Sequence, residues 1–171
     1  MPNRHEPVTV LMVLHTQEKC AHLHPDCLDP ALHDCNTLGL YYGRRLSEWA
    51  KNDADKITLI NIDGLSTAFV YKDMIFFGAN NHTLPQSWSS ELDISEIAFV
   101  QLQWRTKKNM NNGETITQLR HAGPGIFSVL VALRIRHRYR RFNDHEHCPL
   151  AMYGTSKKLL HSSPTYSLLP T

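Results

Sequence analysis

The sequence predicts an α+β domain, mainly helical, with one small antiparallel sheet. Three observations carry that expectation. Apolar residues recur every three or four positions from Ala31 to Trp49, the period of an amphipathic helix. Ala98, Val100, Leu102 and Trp104 alternate with Phe99, Gln101 and Gln103, and Asn112-Gly113 follows, as in a half-buried strand that leads into a hairpin turn. A further helical run, Ile126, Val129, Leu130 and Leu133, comes after Gly123-Pro124-Gly125. At 171 residues the chain has room for one domain with a real core and too little for two.

Taken in order, a first helix is expected over residues 7–24, with Val10, Leu11 and Leu14 on one side and Cys20 and Ala21 extending it. Asp29 reads as the cap of a second helix and Pro30 as its first helical position. Ala31, Leu32, Cys35, Leu38, Tyr42, Leu46 and Trp49 then carry it to about Ala50. β-branched and aromatic residues at 57–62 and 68–71 flank Asp63-Gly64 and predict strands, as does Met74-Ile75-Phe76-Phe77. Residues 79–92 are rich in Asn, Pro and Ser and read as loop. Thr115 to Leu119 is the return strand of the hairpin, and the third helix ends in basic turns that suit its negative pole. Residues 1–145 form the expected domain and 146–171 an irregular tail.

A hydrophobic fraction of 42% and a charged fraction of 20% are ordinary for a soluble globular protein. No apolar run approaches the roughly 18 residues of a membrane helix. The short patch from Val8 to Leu14 makes a poor signal peptide. The expectation is an intracellular protein, nuclear in a eukaryotic cell, with no membrane partner. Cys20, Cys27, Cys35 and Cys148 follow no disulfide rhythm and read as reduced thiols. A net charge of +2 says little about partners. Its distribution says more: Arg134, Arg136, Arg138, Arg140 and Arg141 crowd together, and Arg105, Lys107 and Lys108 sit beside an asparagine-rich turn. Such clusters suit phosphates, and they equally suit a solvated face.

Gly43-Arg44-Arg45-Leu46-Ser47-Glu48 resembles the first catalytic box of tyrosine site-specific recombinases, G-x-R-[ILV]-S-E, which follows an apolar run on a helix. Upstream, Glu6-Pro7-Val8-Thr9 resembles that family's approach to its catalytic domain. Downstream, Tyr71-Lys72-Asp73-Met74-Ile75-Phe76 resembles the strand after box one. The hairpin from Gln103 to Asn109 and Gly113 to Thr117 is similar to a motif of the recombinase-like proteins of eukaryotic mobile elements, a Q-K-N core before a G-E-x-[VI]-T strand. Where that family has a Cys-Pro pair, this chain has Phe127-Ser128. The resemblance spans residues 5–142. It implies the front part of a mainly helical recombinase catalytic domain, incomplete at its C-terminus.

In that family a tyrosine attacks a DNA phosphate and forms a phosphotyrosine intermediate. The resemblance makes Arg45 the guanidinium that meets the phosphoryl oxygens, a role suited to its planar, permanently charged fork. Glu48 would orient it, and Lys108, with Lys107 as the alternative, would give a proton to the departing 5′-hydroxyl. Arg105, Lys107, Arg134 and Arg138 would contact DNA. From spacing alone, Arg45 and Glu48 also fit a plain surface ion pair.

The family's second box, H-x-x-R, and its nucleophile should lie well past the third helix. His137-Arg138-Tyr139-Arg140 spells that box but falls inside the third helix, and Tyr166 lies in the tail. The chain alone is therefore expected to bind double-stranded DNA without recombining it, as a segment of a longer gene or a decayed mobile element. Self-association as in recombinase tetramers is a further expectation, and no cofactor or metal is expected. A non-catalytic basic nucleic-acid-binding protein is the rival reading. A zinc module built from Cys20, His22, His24, Cys27, His33 and Cys35 is the weaker one, because no C-x-x-C pair occurs.

Overall fold

A computed structural model describes residues 9–43, 69–86, 91–104, 113–121, 127–140, 149–154 and 158–159. Three α-helices and a three-stranded antiparallel sheet dominate the described residues. Helix α1 spans Val10–Cys20. The Thr9 hydroxyl accepts the Met12 N–H at 3.3 Å and satisfies one of the amides that every helix start leaves open. The periodicity puts Val10, Leu11 and Leu14 on the buried side, but the structure turns them to the surface and seats Val13 and Thr16 on α2 instead. One residue of phase separates the two arrangements, and a short helix with apolar residues on both sides cannot choose between them locally.

Helix α2 spans Leu28–Tyr42, shorter at its end than the spacing predicts. Gly43 adopts φ +65°, and its N–H caps the Gly39 carbonyl. A left-handed residue ends a helix, and glycine takes that conformation without a Cβ penalty. At the other end the cap is Cys27, so Asp29 and Pro30 are the second and third residues of the helix. Ala31, Leu32, Cys35, Leu38 and Tyr42 are buried as the period requires, whereas Leu46 and Trp49 lie outside the described residues, as do positions 57–62.

The expected strand at 68–71 is reduced to a bridge between Val70 and Pro149, followed by a 3-10 turn over Tyr71–Asp73. The Asp73 carboxylate accepts the Val70 N–H at 2.9 Å and locks that turn. Strand β1, Met74–Phe77, pairs with β2, Phe99–Gln103, which pairs with β3, Thr115–Leu119. Met74, Phe76, Val100 and Leu102 share the inner face and are buried. Phe77 and Phe99 stack on the outer face at 4.7 Å. Helix α3, Ser128–Tyr139, packs against β2, β3 and α2, and α1 packs on α2.

Of the tail, Leu150 and Ala151 are fully buried in the core. Met152–Tyr153 (β4) and Lys158–Leu159 (β5) form a small ladder. The core therefore extends past residue 145, because Pro149 is held to Val70 and the Leu150 N–H to the Phe69 carbonyl at 2.8 Å.

Candidate nucleic-acid interface

Two segments carry the expected phosphate chemistry, and the structure describes the scaffold of each. The first leaves α2 at Gly43. There the Tyr41 carbonyl accepts a hydrogen bond from Gln118 Nε2 at 3.0 Å, which ties the end of α2 to β3. The second is the turn between β2 and β3. Its neck is closed by Trp104 N–H to Glu114 carbonyl at 2.8 Å and Gly113 N–H to Trp104 carbonyl at 2.7 Å. From Glu114 to Gln118 the strand rises about 13 Å at its usual pitch. Arg45, Glu48, Arg105, Lys107 and Lys108 themselves lie outside the described residues, and with them the expected approach of Arg45 to the Lys107–Lys108 turn.

The basic end of α3 departs from expectation. Arg138 is 2% exposed. It donates from Nη2 to Asp34 Oδ2 at 2.6 Å and from Nε to the Pro25 carbonyl at 3.1 Å. Arg134, one turn earlier, donates from Nε to Asp34 Oδ1 at 2.9 Å and also from Nη2. Arg136 is fully buried on another face, with Nη1 on the Tyr71 hydroxyl at 3.0 Å and its guanidinium over the Phe76 ring at 5.6 Å. Burial holds the Arg136 pKa below its ordinary value and the Tyr71 pKa above. Arg140, at the C-cap, reaches exposed Glu91 at 3.2 Å, a surface pair of small worth.

In this arrangement Arg138 has no surface to offer DNA, and Arg134 is engaged on Asp34 with a third of its side chain exposed. Helix α3 packs on two sides, so its arginines turn inward to a carboxylate and to aromatic groups. Asp34 is the buried counter-charge that sequence reasoning missed, and a signal for it existed. It sits within the apolar stripe of α2, beside Ala31, Cys35 and Leu38, and a carboxylate there needs a buried cation. Arg134 and Arg138 are four apart and share one helix face.

His33 is buried beside this cluster, with Nδ1 at 2.9 Å from the Thr16 hydroxyl of α1. Burial first, and the Arg134 charge second, lower its pKa, while Asp34 opposes them. A histidine whose folded pKa lies below its unfolded value leaves stability intact above about 6.5. That stability is lost as pH falls from there down through the folded pKa. The melting temperature is therefore expected to drop between pH 7.5 and 5.5, and to drop less in His33→Gln. Equal slopes in the two proteins would sink the assignment.

Cys35 is buried, and burial pushes its thiol up to about 12. Burial also raises Cys20, while Cys27 is exposed. Among the described residues no group of three His, Cys, Asp or Glu side chains could hold a metal ion. Among them too, no helix is long and apolar enough to cross a membrane. Comparison with protein-family models, with curated proteins and with solved structures finds no match.

Proposed function

We propose that this chain is the front part of a tyrosine-recombinase-like catalytic domain of a mobile element, and that its partner is double-stranded DNA. The observation that carries the reading is the scaffold around Gly43. The box-one hexapeptide begins where α2 ends, and the hydrogen bond from Gln118 holds that point against the strand that returns from the lysine-bearing turn. The reading asks a guanidinium from the segment after Gly43 and a lysine from the segment after Trp104 to work on one phosphate. In this reading Arg45 meets the phosphoryl oxygens, Glu48 orients it, and Lys108 or Lys107 serves the leaving oxygen. Arg105 adds a phosphate contact. With no second box or nucleophile assigned, the activity proposed for the 171-residue chain is DNA binding without a covalent product. Self-association of the kind seen in the family's tetramers belongs to the same reading. A purely basic DNA-binding protein that reads through α3 is disfavoured, because Arg136 and Arg138 are buried.

Fluorescence anisotropy with a double-stranded oligonucleotide, titrated across salt concentrations, tests this. Each lost phosphate contact should flatten the slope of log K against log salt by about 0.9. Lys107→Ala, Lys108→Ala and Arg45→Ala should each do so, and should weaken binding evenly across DNA sequences. Binding that ignores all three substitutions would overturn the proposal.

A further inference from the structure

Helix α1 is held to the domain by little. It packs on α2 with Val13 and Thr16 as its buried side chains, while Val10, Leu11 and Leu14 stay exposed. At 11 residues it is too short to keep its shape alone in water, and segments with few buried apolar contacts open at small cost. The far side of the loop that follows is fastened. Arg138 Nε donates to the Pro25 carbonyl at 3.1 Å, and the Gly154 N–H donates to the Asp26 carbonyl at 2.9 Å. Residues 21–24 are therefore where α1 can turn away while α2, α3 and the sheet stay joined.

His33 lies in the seam between α1 and α2, 3% exposed. The Thr16 hydroxyl has a single proton, donated to the Val13 carbonyl at 2.9 Å. Its oxygen therefore accepts from His33 Nδ1–H, also at 2.9 Å. A further proton on this tautomer goes to Nε2 and leaves the Thr16 bond intact, so its cost is the charge. Each neighbouring element adds to that cost or fails to offset it. From α3, the Arg134 guanidinium repels an imidazolium. From α2, the Asp34 carboxylate attracts it, but Arg134 already holds Oδ1 and Arg138 holds Oδ2. From α1 come the Thr16 hydroxyl and the Cys20 thiol, which burial and then Asp29 and Asp34 keep protonated. His15, Glu18 and Lys19 of α1 are exposed, and β4 brings Met152 and Tyr153 but no carboxylate or cation. A charged His33 would be a third cation on one carboxylate, and lifting α1 off the seam opens it to water.

We propose that α1 is an acid-released helix: protonation of His33 undocks it from α2 about residues 21–24 while the rest of the domain stays folded. The direction follows from burial first and Arg134 second, which hold the docked His33 below its ordinary value. Docking is complete above about 6.5 and weakens as the pH falls from there down through the docked pKa. Release takes up one proton, so the docking equilibrium loses about tenfold per pH unit across that window. The released state uncovers the α2 face that holds His33. This device does not depend on DNA or on the recombinase reading.

Amide exchange of the 171-residue chain, followed by NMR from pH 7.5 to 5.0 and expressed as protection factors, tests it. Protection from Val13 to Cys20 should fall by about tenfold per pH unit once the pH is below about 6.5, while Leu38, Val100 and Val131 keep theirs. His33→Gln, whose side chain takes up no proton, should hold α1 protection level across the range. His15→Gln, which removes an exposed histidine of the same helix, should leave the fall unchanged. The ring resonances of His33 in the parent chain should titrate in step with α1 release, a readout that stands even if His33→Gln does not fold. Constant α1 protection, a fall shared by Val100 and Val131, or a fall that survives in His33→Gln would each overturn the proposal.

Discussion

Asp34→Asn is expected to cost about 3–5 kcal/mol of folding stability, the loss found when one partner of a buried ion pair is removed and the other charge stays behind. The substitution keeps the shape of the side chain but leaves the Arg138 guanidinium, 1% exposed at its side chain, without a counter-charge. Arg134, with a third of its side chain exposed, can turn part of its charge to water. In a chain of this size the melting temperature should fall by roughly 10 °C, as each kcal/mol shifts it by about 2–4 °C. Arg138→Ala should cost less, because Asp34 keeps its bonds from Arg134. Replacing all three together, Asp34→Leu with Arg134→Met and Arg138→Met, should recover most of the loss, since an apolar set of similar volume avoids desolvating charge. Thermal denaturation followed by circular dichroism would check the ordering. If Asp34→Asn melted like the parent, the triad would not be what fastens α2 to α3.

Phe76→Ala should destabilise by about 3–5 kcal/mol, the range for deleting a buried aromatic ring. Phe76 is fully buried on the inner face of β1, opposite Val100. Its ring also lies beneath the Arg136 guanidinium, which in turn holds the Tyr71 hydroxyl, and Tyr71 stacks on Tyr139 at 5.4 Å. Removing the ring therefore opens a cavity and takes away a face that makes the buried cation tolerable. Phe76→Leu should recover most of the stability. Its remaining deficit should include the cation–π contact, about 0.5–2 kcal/mol. Chemical denaturation of both variants would read this directly, and equal stability of Phe76→Leu and the parent would remove Arg136 from the account.

Both predictions rest on α3, where sequence and structure part most clearly. The helix itself was legible. Val129, Leu133 and their neighbours carry its period, and a glycine-proline break precedes it. The hairpin was legible too, because alternation at Val100, Leu102 and Trp104 admits one face inward and the structure buries those residues. Helix α2 was legible along its buried stripe but not at its end, since Gly43 stops a pattern that the apolar period would continue. The candidate site was legible only as motif residues. Its described part is the scaffold, the hydrogen bond between Gln118 and Tyr41, which joins positions 77 apart and has no local signature.

By itself the sequence determined the element types, the inner face of the hairpin and the stripe by which α2 meets the core. Those follow from periodicity, which is a property of a single segment. The fate of the charges was decided only by the tertiary structure. Arg134 and Arg138 look like a phosphate-binding face until α2 brings Asp34 to them from a hundred residues away. Val10, Leu11 and Leu14 look like core until Val13 and Thr16 take the contact with α2. A charge is worth what its surroundings make it, and those surroundings come from other elements. A helical period announces that one side will be covered, and the partner that arrives decides which side.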